Sequence, residues 1–395
     1  MMLMSFYVAH VYGNELFGIL GLILTGVHLI TMIGDGFNAS IVRFVSRESA
    51  EESGQESYLG WKLCWLAISV LIPMAILMGV GLKLFGITEI HPGWIILAVL
   101  VSIVRVMRAV FESCLRALRN FRDPAIWGSF FAITVALTIA LVTGAGHGVS
   151  WYLSLLGASL LLNSLFLVHR LRRRTMYNSD SRGFREKYRE FGIFVIPMIG
   201  RDIVGFVFLK FNFWILGWWG TLGEIGEYRL AEQFLTIAFL VFSAFLNALV
   251  PRMAYAQQRG QHEFEGLIAR TYGLILAVTI PLVFTFIIGS YLVNALFPEF
   301  PRSGLIILLM APLVAFRGIG NVASVMMVQS GHSRPVFWLA LTFSAVNIAI
   351  SAAGYHLYGI IGLTLGTVGV HVLSYISSVI VGHRILNFPL SIRFQ

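Results

Sequence analysis

Residues 304–328 read GLIILLMAPLVAFRGIGNVASVMMV, a run of 25 residues with a single charge, Arg317. Coiled as an α-helix with 1.5 Å of rise per residue, the run would reach roughly 37 Å. That exceeds the ~30 Å hydrocarbon core of a bilayer. Backbone groups inside lipid must find their partners within the segment, so the stretch is predicted to be a membrane-spanning helix.

Ten further apolar blocks of similar length surround it, at about 15–33, 62–83, 93–115, 125–143, 149–169, 191–216, 228–250, 266–289, 335–354 and 358–383. With 304–328 they make eleven spans, and residues 1–9 add an apolar fragment. The chain is 57% hydrophobic and 12% charged, against roughly 25% charged in soluble domains. Its mean hydropathy is +0.82. The expected fold class is an all-α polytopic membrane protein.

Between the fifth and sixth blocks lies the longest basic stretch, with Arg170, Arg172, Arg173, Arg174, Arg182, Arg185, Lys187 and Arg189. It reads as a linker over 171–190 between an N-terminal helical lobe, 1–170, and a C-terminal lobe, 191–395. Assigning alternate loops to opposite sides places twenty Lys and Arg on the side of this linker and three, Lys83, Arg229 and Arg302, on the other. The positive-inside rule then makes the linker and the C-terminus cytoplasmic. The formal net charge of +9 is therefore topology, and no nucleic-acid partner is expected.

An internal repeat supports two halves. At a constant offset of 209, Glu15 matches Glu224, Asn38 matches Asn247, Ala39 matches Ala248 and Arg43 matches Arg252. His169-Arg170-Leu171 likewise mirrors His383-Arg384-Ile385. The offset places the partner of helix 191–216 at about −18 to 7. The expectation is two six-helix lobes, twelve helices in all, with most of the first helix missing and a misplaced start codon as the explanation.

Ionisable residues within spans are expensive and usually face an aqueous cavity. Arg105, Arg108, Arg201, Lys210 and Arg317 lie well inside apolar blocks. Arg105, Arg108, Glu112, Arg116 and Arg119 recur at spacings of 3, 4, 4 and 3, which puts them on one helical face. Arg105, Arg201 and Arg317 sit near their helix centres, and a shared, positively lined midplane cavity is the simplest arrangement for all three. Neutralised pairs are the alternative. Glu112 is within reach of Arg108 and Arg116, whereas Asp202 follows Arg201 directly, and i,i+1 neighbours do not face each other. Lys210 has the alternative of snorkelling to the outer interface.

Other embedded groups read as packing. Asn163, Asn247, Asn321 and Asn347 suit helix bridging, His28 and His371 suit satisfied packing, and Gly362–Gly366 is a GxxxG that suits close helix contact. Pro197, Pro281 and Pro312 are candidate kinks. Cys64 and Cys114 fall inside apolar blocks and read as small buried hydrophobes. The sequence has no GxxxxGK[ST] phosphate loop, and His262-Glu263-Phe264-Glu265 lacks the second His of a zinc helix. No cofactor, metal or catalytic residue is expected.

Several stretches together resemble the polysaccharide-unit flippases (Wzx type) of the multidrug/oligosaccharidyl-lipid/polysaccharide exporter superfamily. They are YGNELFG at 12–18, GDGFNASIVRFVSRE at 34–48, FGIFVIP at 191–197, FNFWILG at 211–217 and GEYRLAEQF at 226–234. NALVPRMA at 247–254, LFPEF at 296–300, VQSGH at 328–332 and YGIIGLTLGT at 358–367 continue the resemblance. It implies two six-helix lobes around a central cavity and alternating access. The implied substrate is an undecaprenyl-diphosphate-linked oligosaccharide, moved across the bacterial inner membrane for O-antigen, capsule or exopolysaccharide synthesis. The implied partners are that substrate, membrane lipid, and polysaccharide polymerase and chain-length proteins. Where relatives often carry an acidic residue before the run ending in Leu-Gly, this chain has Asn212, which counts against cation coupling there.

On this reading Arg105, Arg108, Arg201, Lys210 and Arg317 hold the diphosphate and Asn321 meets sugar. The competing readings are a drug or organic-cation antiporter of the same fold, which needs unpaired embedded acids, and an integral-membrane glycosyltransferase or polymerase.

Overall fold

The computed structural model describes residues 2–51, 58–84, 91–118, 122–144, 149–175, 184–259, 261–329 and 332–386. Among them are ten helices and no strand. They are α1 (Met2–Glu51), α2 (Tyr58–Leu84), α3 (Pro92–Ala117), α4 (Arg122–Gly144), α5 (Val149–Thr175), α6 (Phe184–Trp219), α7 (Leu222–Arg259), α8 (Gln261–Leu296), α9 (Ser303–Gln329) and α10 (Ser333–Leu386).

Two of these break internally. Gly13 interrupts α1 at φ 69°, and Tyr358–Gly359 interrupts α10, with Gly359 at φ 60°. Both glycines occupy the left-handed region that a Cβ disfavours. The breaks turn ten helices into twelve helical segments. The prolines anticipated as kinks, Pro197, Pro281 and Pro312, lie inside continuous helices, as membrane helices tolerate.

All eleven spans read from the sequence lie on helices. Seven described helices are long and apolar enough to cross a membrane, and one of these, Arg334–Ile385, carries two of the spans. Large apolar side chains remain bare, Leu162 and Ile196 at 70% exposure among them. Water would penalise such surface heavily, whereas lipid tails accept it.

The helix bounds also repeat at the offset of 209. Shifted by it, residues 14–51 of α1 fall on 223–260, beside α7 at 222–259. The helices reach further into the basic stretch than its composition suggested. α5 continues to Thr175 and α6 begins at Phe184, because Arg and Lys are good helix formers once beyond the bilayer. Residues 176–183 lie outside the described set, as do the side chains of Arg43, Arg119, Asn247 and Arg252.

The chain divides into two compact units. The first gathers Leu3–Tyr12 and Ile19–Phe206, the second Gly13–Gly18 and Val207–Gln395. In the first, α3 packs on α2 and α5, and α4 on α5. Ile30, Ile33, Phe37 and Ile41 of α1 recur at helical spacing and meet Leu63, Ala67, Leu71, Val106, Val110 and Phe111 in its core. Cys64 and Cys114 are buried and free there, as expected.

In the second unit, α9 packs on α7, α8 and α10. The arms of α10 run antiparallel, which follows from contacts that descend in step. Gly366 meets Ile350, Ser351 Oγ lies 2.9 Å from Thr367 Oγ1, and Gly354 and Gly362 each pack on the other's carbonyl. The GxxxG at 362–366 thus makes the close contact its small residues suggested.

Candidate functional site

Each unit carries its own set of embedded charges. In the first, Glu112 accepts from Arg116 and lies 3.4 Å from Arg108, whose guanidinium also sits 4.6 Å from the Phe131 ring centroid. The pairing alternative for Arg108 therefore holds. Arg201 reverses an expectation. Its Nε and Nη2 donate to Asp202 Oδ1 at 2.9 and 2.8 Å, because a long guanidinium arm can curl round the helix to the next residue although the Cβ atoms diverge. Asp35 of α1 lies in the electrostatic field of Arg105, Arg201 and Asp202. In this unit Arg108 and Arg201 are therefore paired with Glu112 and Asp202, and Arg105 lies in the field of Asp35.

The second unit is different. Lys210 on α6 does not snorkel outward. Its ammonium pairs with Glu232 Oε1 on α7, while Arg229 Nη1 reaches Glu232 Oε2 at 2.8 Å. The three side chains are only 14%, 14% and 10% exposed. Snorkelling loses because a carboxylate from the neighbouring helix is nearer than water. Arg229 is correspondingly not a loop residue on the outer side, and the topology count becomes twenty against two. Both cations lie beside the Phe213 ring, at 5.8 and 5.7 Å.

Arg317 on α9 stands apart. Its guanidinium lies 3.1 Å from the Phe239 ring centroid. Its Nε and Nη1 are buried without a hydrogen-bond partner. The guanidinium hydrogen-bonds the Tyr375 phenol and feels the ammonium of Lys210, and no carboxylate among the described residues pairs with it. Asn321, one turn further along α9, is half-buried. Lys210 and Arg229 share Glu232 and Arg317 has no carboxylate of its own, while the other buried acid of α7, Glu227, accepts from the Arg302 N–H; around Lys210, Arg229 and Arg317 the charge is positive. That surplus is what an anion would find.

Glu232 is legible in the sequence as an embedded acid but was not joined to Arg229 there, and Phe239 and Tyr375 went unmarked. Arg229, Glu232, Thr236 and Phe239 follow one another at spacings of 3, 4 and 3, which places them on one face of α7, and that signal was available. Nothing local links Arg317 to Phe239 or Tyr375. Asn347 does bridge helices, donating to the Phe208 carbonyl at 3.3 Å and accepting from Ser351 at 3.1 Å. His371 packs as anticipated, its ring 4.0 Å from that of Phe208 and its Nδ1 2.9 Å from the Thr367 carbonyl. Asn212 donates to Tyr228 Oη at 2.9 Å.

The family model described as "Polysaccharide biosynthesis protein" matches residues 1–257. The sequence matches none of the curated proteins compared with it. Among solved structures, a lipid II flippase MurJ in an inward closed conformation aligns with a TM-score of 0.73 at 16% identity, covering 99% of this chain and 87% of that one. An inward-facing multidrug resistance MATE family transporter of the MOP superfamily gives 0.72 at 13% identity, covering 98% and 95%. A MOP superfamily transporter from Pyrococcus furiosus, with a binding pocket of reversed polarity, gives 0.65 at 14% identity over 97% and 90%. At these identities the structures establish the fold.

Proposed function

Because the chain belongs to the polysaccharide biosynthesis protein family, we propose that it is a flippase for undecaprenyl-diphosphate-linked oligosaccharides, working by alternating access in the bacterial inner membrane with its C-terminus in the cytoplasm. The observation that carries this reading is Arg317, a buried guanidinium that keeps Nε and Nη1 unpartnered while it lies against the Phe239 ring and bonds the Tyr375 phenol. A planar fork of donors matches phosphate oxygens two at a time. Asn321 supplies an amide one turn away for a sugar hydroxyl, and the polyprenyl tail stays in the bilayer. Arg108 and Arg201 take part only if Glu112 and Asp202 release them, and Arg105 is a further buried cation in the field of Asp35. Polysaccharide polymerase and chain-length proteins would act on the delivered unit.

The cytoplasm is electrically negative, so outward movement of an anion is favoured by about 2.3 kcal/mol per charge per 100 mV. Direction then needs no nucleotide hydrolysis. An antiporter of organic cations would want unpaired acids where the second unit has surplus bases.

Proteoliposomes loaded with a fluorescent undecaprenyl-diphosphate oligosaccharide test the proposal. A dye-accessible fraction that rises with protein and accelerates under an inside-negative potential is the expected result. Vesicles that leave the lipid in place while exchanging organic cations would replace the flippase by the antiporter.

A further inference from the structure

We propose that Glu232 is an internal counter-anion. In the empty carrier its carboxylate stands where a substrate phosphate stands in the loaded one, between Lys210 and Arg229. The inference rests on the flippase reading above and names a second set of ligands for the same head group.

Glu232 divides its two oxygens, one to each cation. A bridging carboxylate of this kind presents the same oxygen-to-cation pattern as one face of a phosphate. Both cations have seats independent of it. They flank the Phe213 ring, and Gln233, with its amide turned so that oxygen rather than nitrogen faces the guanidinium, accepts from Arg229 Nη2 and Nε at 3.2 and 3.1 Å. When the carboxylate swings out, the guanidinium keeps the Gln233 amide and both cations keep the Phe213 ring.

Charge conservation makes exchange the low-cost route. Two buried cations facing one carboxylate, with a third near Lys210, are a poor arrangement for a permanent structural pair, because an embedded surplus is costly in a bilayer. Opening a buried ion pair without replacing the anion leaves charges uncompensated. Trading Glu232 for a phosphate does not. Phe239, the platform of Arg317, lies seven residues beyond Glu232 on the same face of α7, and Lys210 already lies in the field of Arg317. One phosphate of a diphosphate then falls to Arg317 and the other to Lys210 and Arg229. A ligand with a single phosphate would compete poorly with Glu232, so the carboxylate also selects for diphosphates.

The test uses the purified full chain in nanodiscs, with undecaprenyl diphosphate as the probe. Glu232→Gln is expected to bind it at least tenfold tighter than wild type and to flip the lipid-linked oligosaccharide at least tenfold more slowly, because nothing displaces the product. Glu232→Asp should stay near wild type. Arg229→Gln, which leaves Lys210 paired with Glu232, should weaken binding about tenfold, and its readout stands even if Glu232→Gln does not fold.

A purely structural ion pair predicts otherwise. If Arg317→Ala weakens probe binding while Glu232→Gln binds no tighter, or Arg229→Gln binds as wild type does, the counter-anion is overturned and the flippase reading survives. If wild type binds neither undecaprenyl diphosphate nor inorganic pyrophosphate, and Arg317→Ala changes nothing, the flippase reading itself is overturned.

Discussion

Cells carrying Arg317→Ala are expected to lose export of lipid-linked oligosaccharide while retaining normal levels of the protein. Removing one member of a buried, hydrogen-bonded charge pair costs about 2–5 kcal/mol. At 1.4 kcal/mol per decade, that is roughly a thirtyfold loss or more. In the empty protein the same change removes an unpaired cation whose Nε and Nη1 have no partner. Folding therefore loses a hydrogen bond with Tyr375 and a desolvated cation–π contact with Phe239, worth ~2 kcal/mol or more, and gains relief from burying a charge. Arg317→Lys keeps the charge and loses the fork, so export should fall between wild type and alanine. Outer-leaflet product, read with a labelled substrate in spheroplasts beside an immunoblot, checks the series. Wild-type export by Arg317→Ala would remove Arg317 from the head-group site.

Gly362→Val should fail for a different reason. Each of Gly354 and Gly362 packs directly on the carbonyl of the other, and a Cβ at residue 362 would also meet the Tyr358 side chain at 2.8 Å. The obstacle is main chain, which cannot turn away as a side chain does. The two arms of α10 would have to separate, pulling Ser351 from Thr367 and leaving polar groups exposed to lipid. Overpacking of this kind costs about 3 kcal/mol or more, and a sharp drop in melting temperature in detergent, with low membrane yield, is the expected outcome. Gly369→Val is the control, since nothing lies within 4 Å of a Cβ built there. Equal melting temperatures for the two variants would refute the close-contact account.

The spans were legible because insertion is a local property. Some twenty consecutive apolar residues suffice, whatever they later pack against. The α10 hairpin was legible for a related reason, since Tyr358–Gly359 interrupts the apolar pattern at the place where the backbone turns. The charges were legible only as a set. Arg201 and Asp202 looked unable to meet, yet do. Lys210 looked bound for the interface, yet its partner is 22 residues away on another helix. Arg229, at the edge of an apolar block, looked like a loop residue.

By itself, then, the sequence determined that the chain is an all-helical membrane protein, where its apolar helices lie, and which embedded residue types it carries. Each of these is settled by a window of residues. The tertiary structure alone decided which cations are neutralised and which is left over. Helix packing brings Lys210 to the Glu232 that Arg229 already meets along α7, and sets Arg317 on Phe239 with no carboxylate among the described residues paired to it. Coulomb energy depends on distance through space, and in a bundle of long helices that distance bears little relation to separation along the chain.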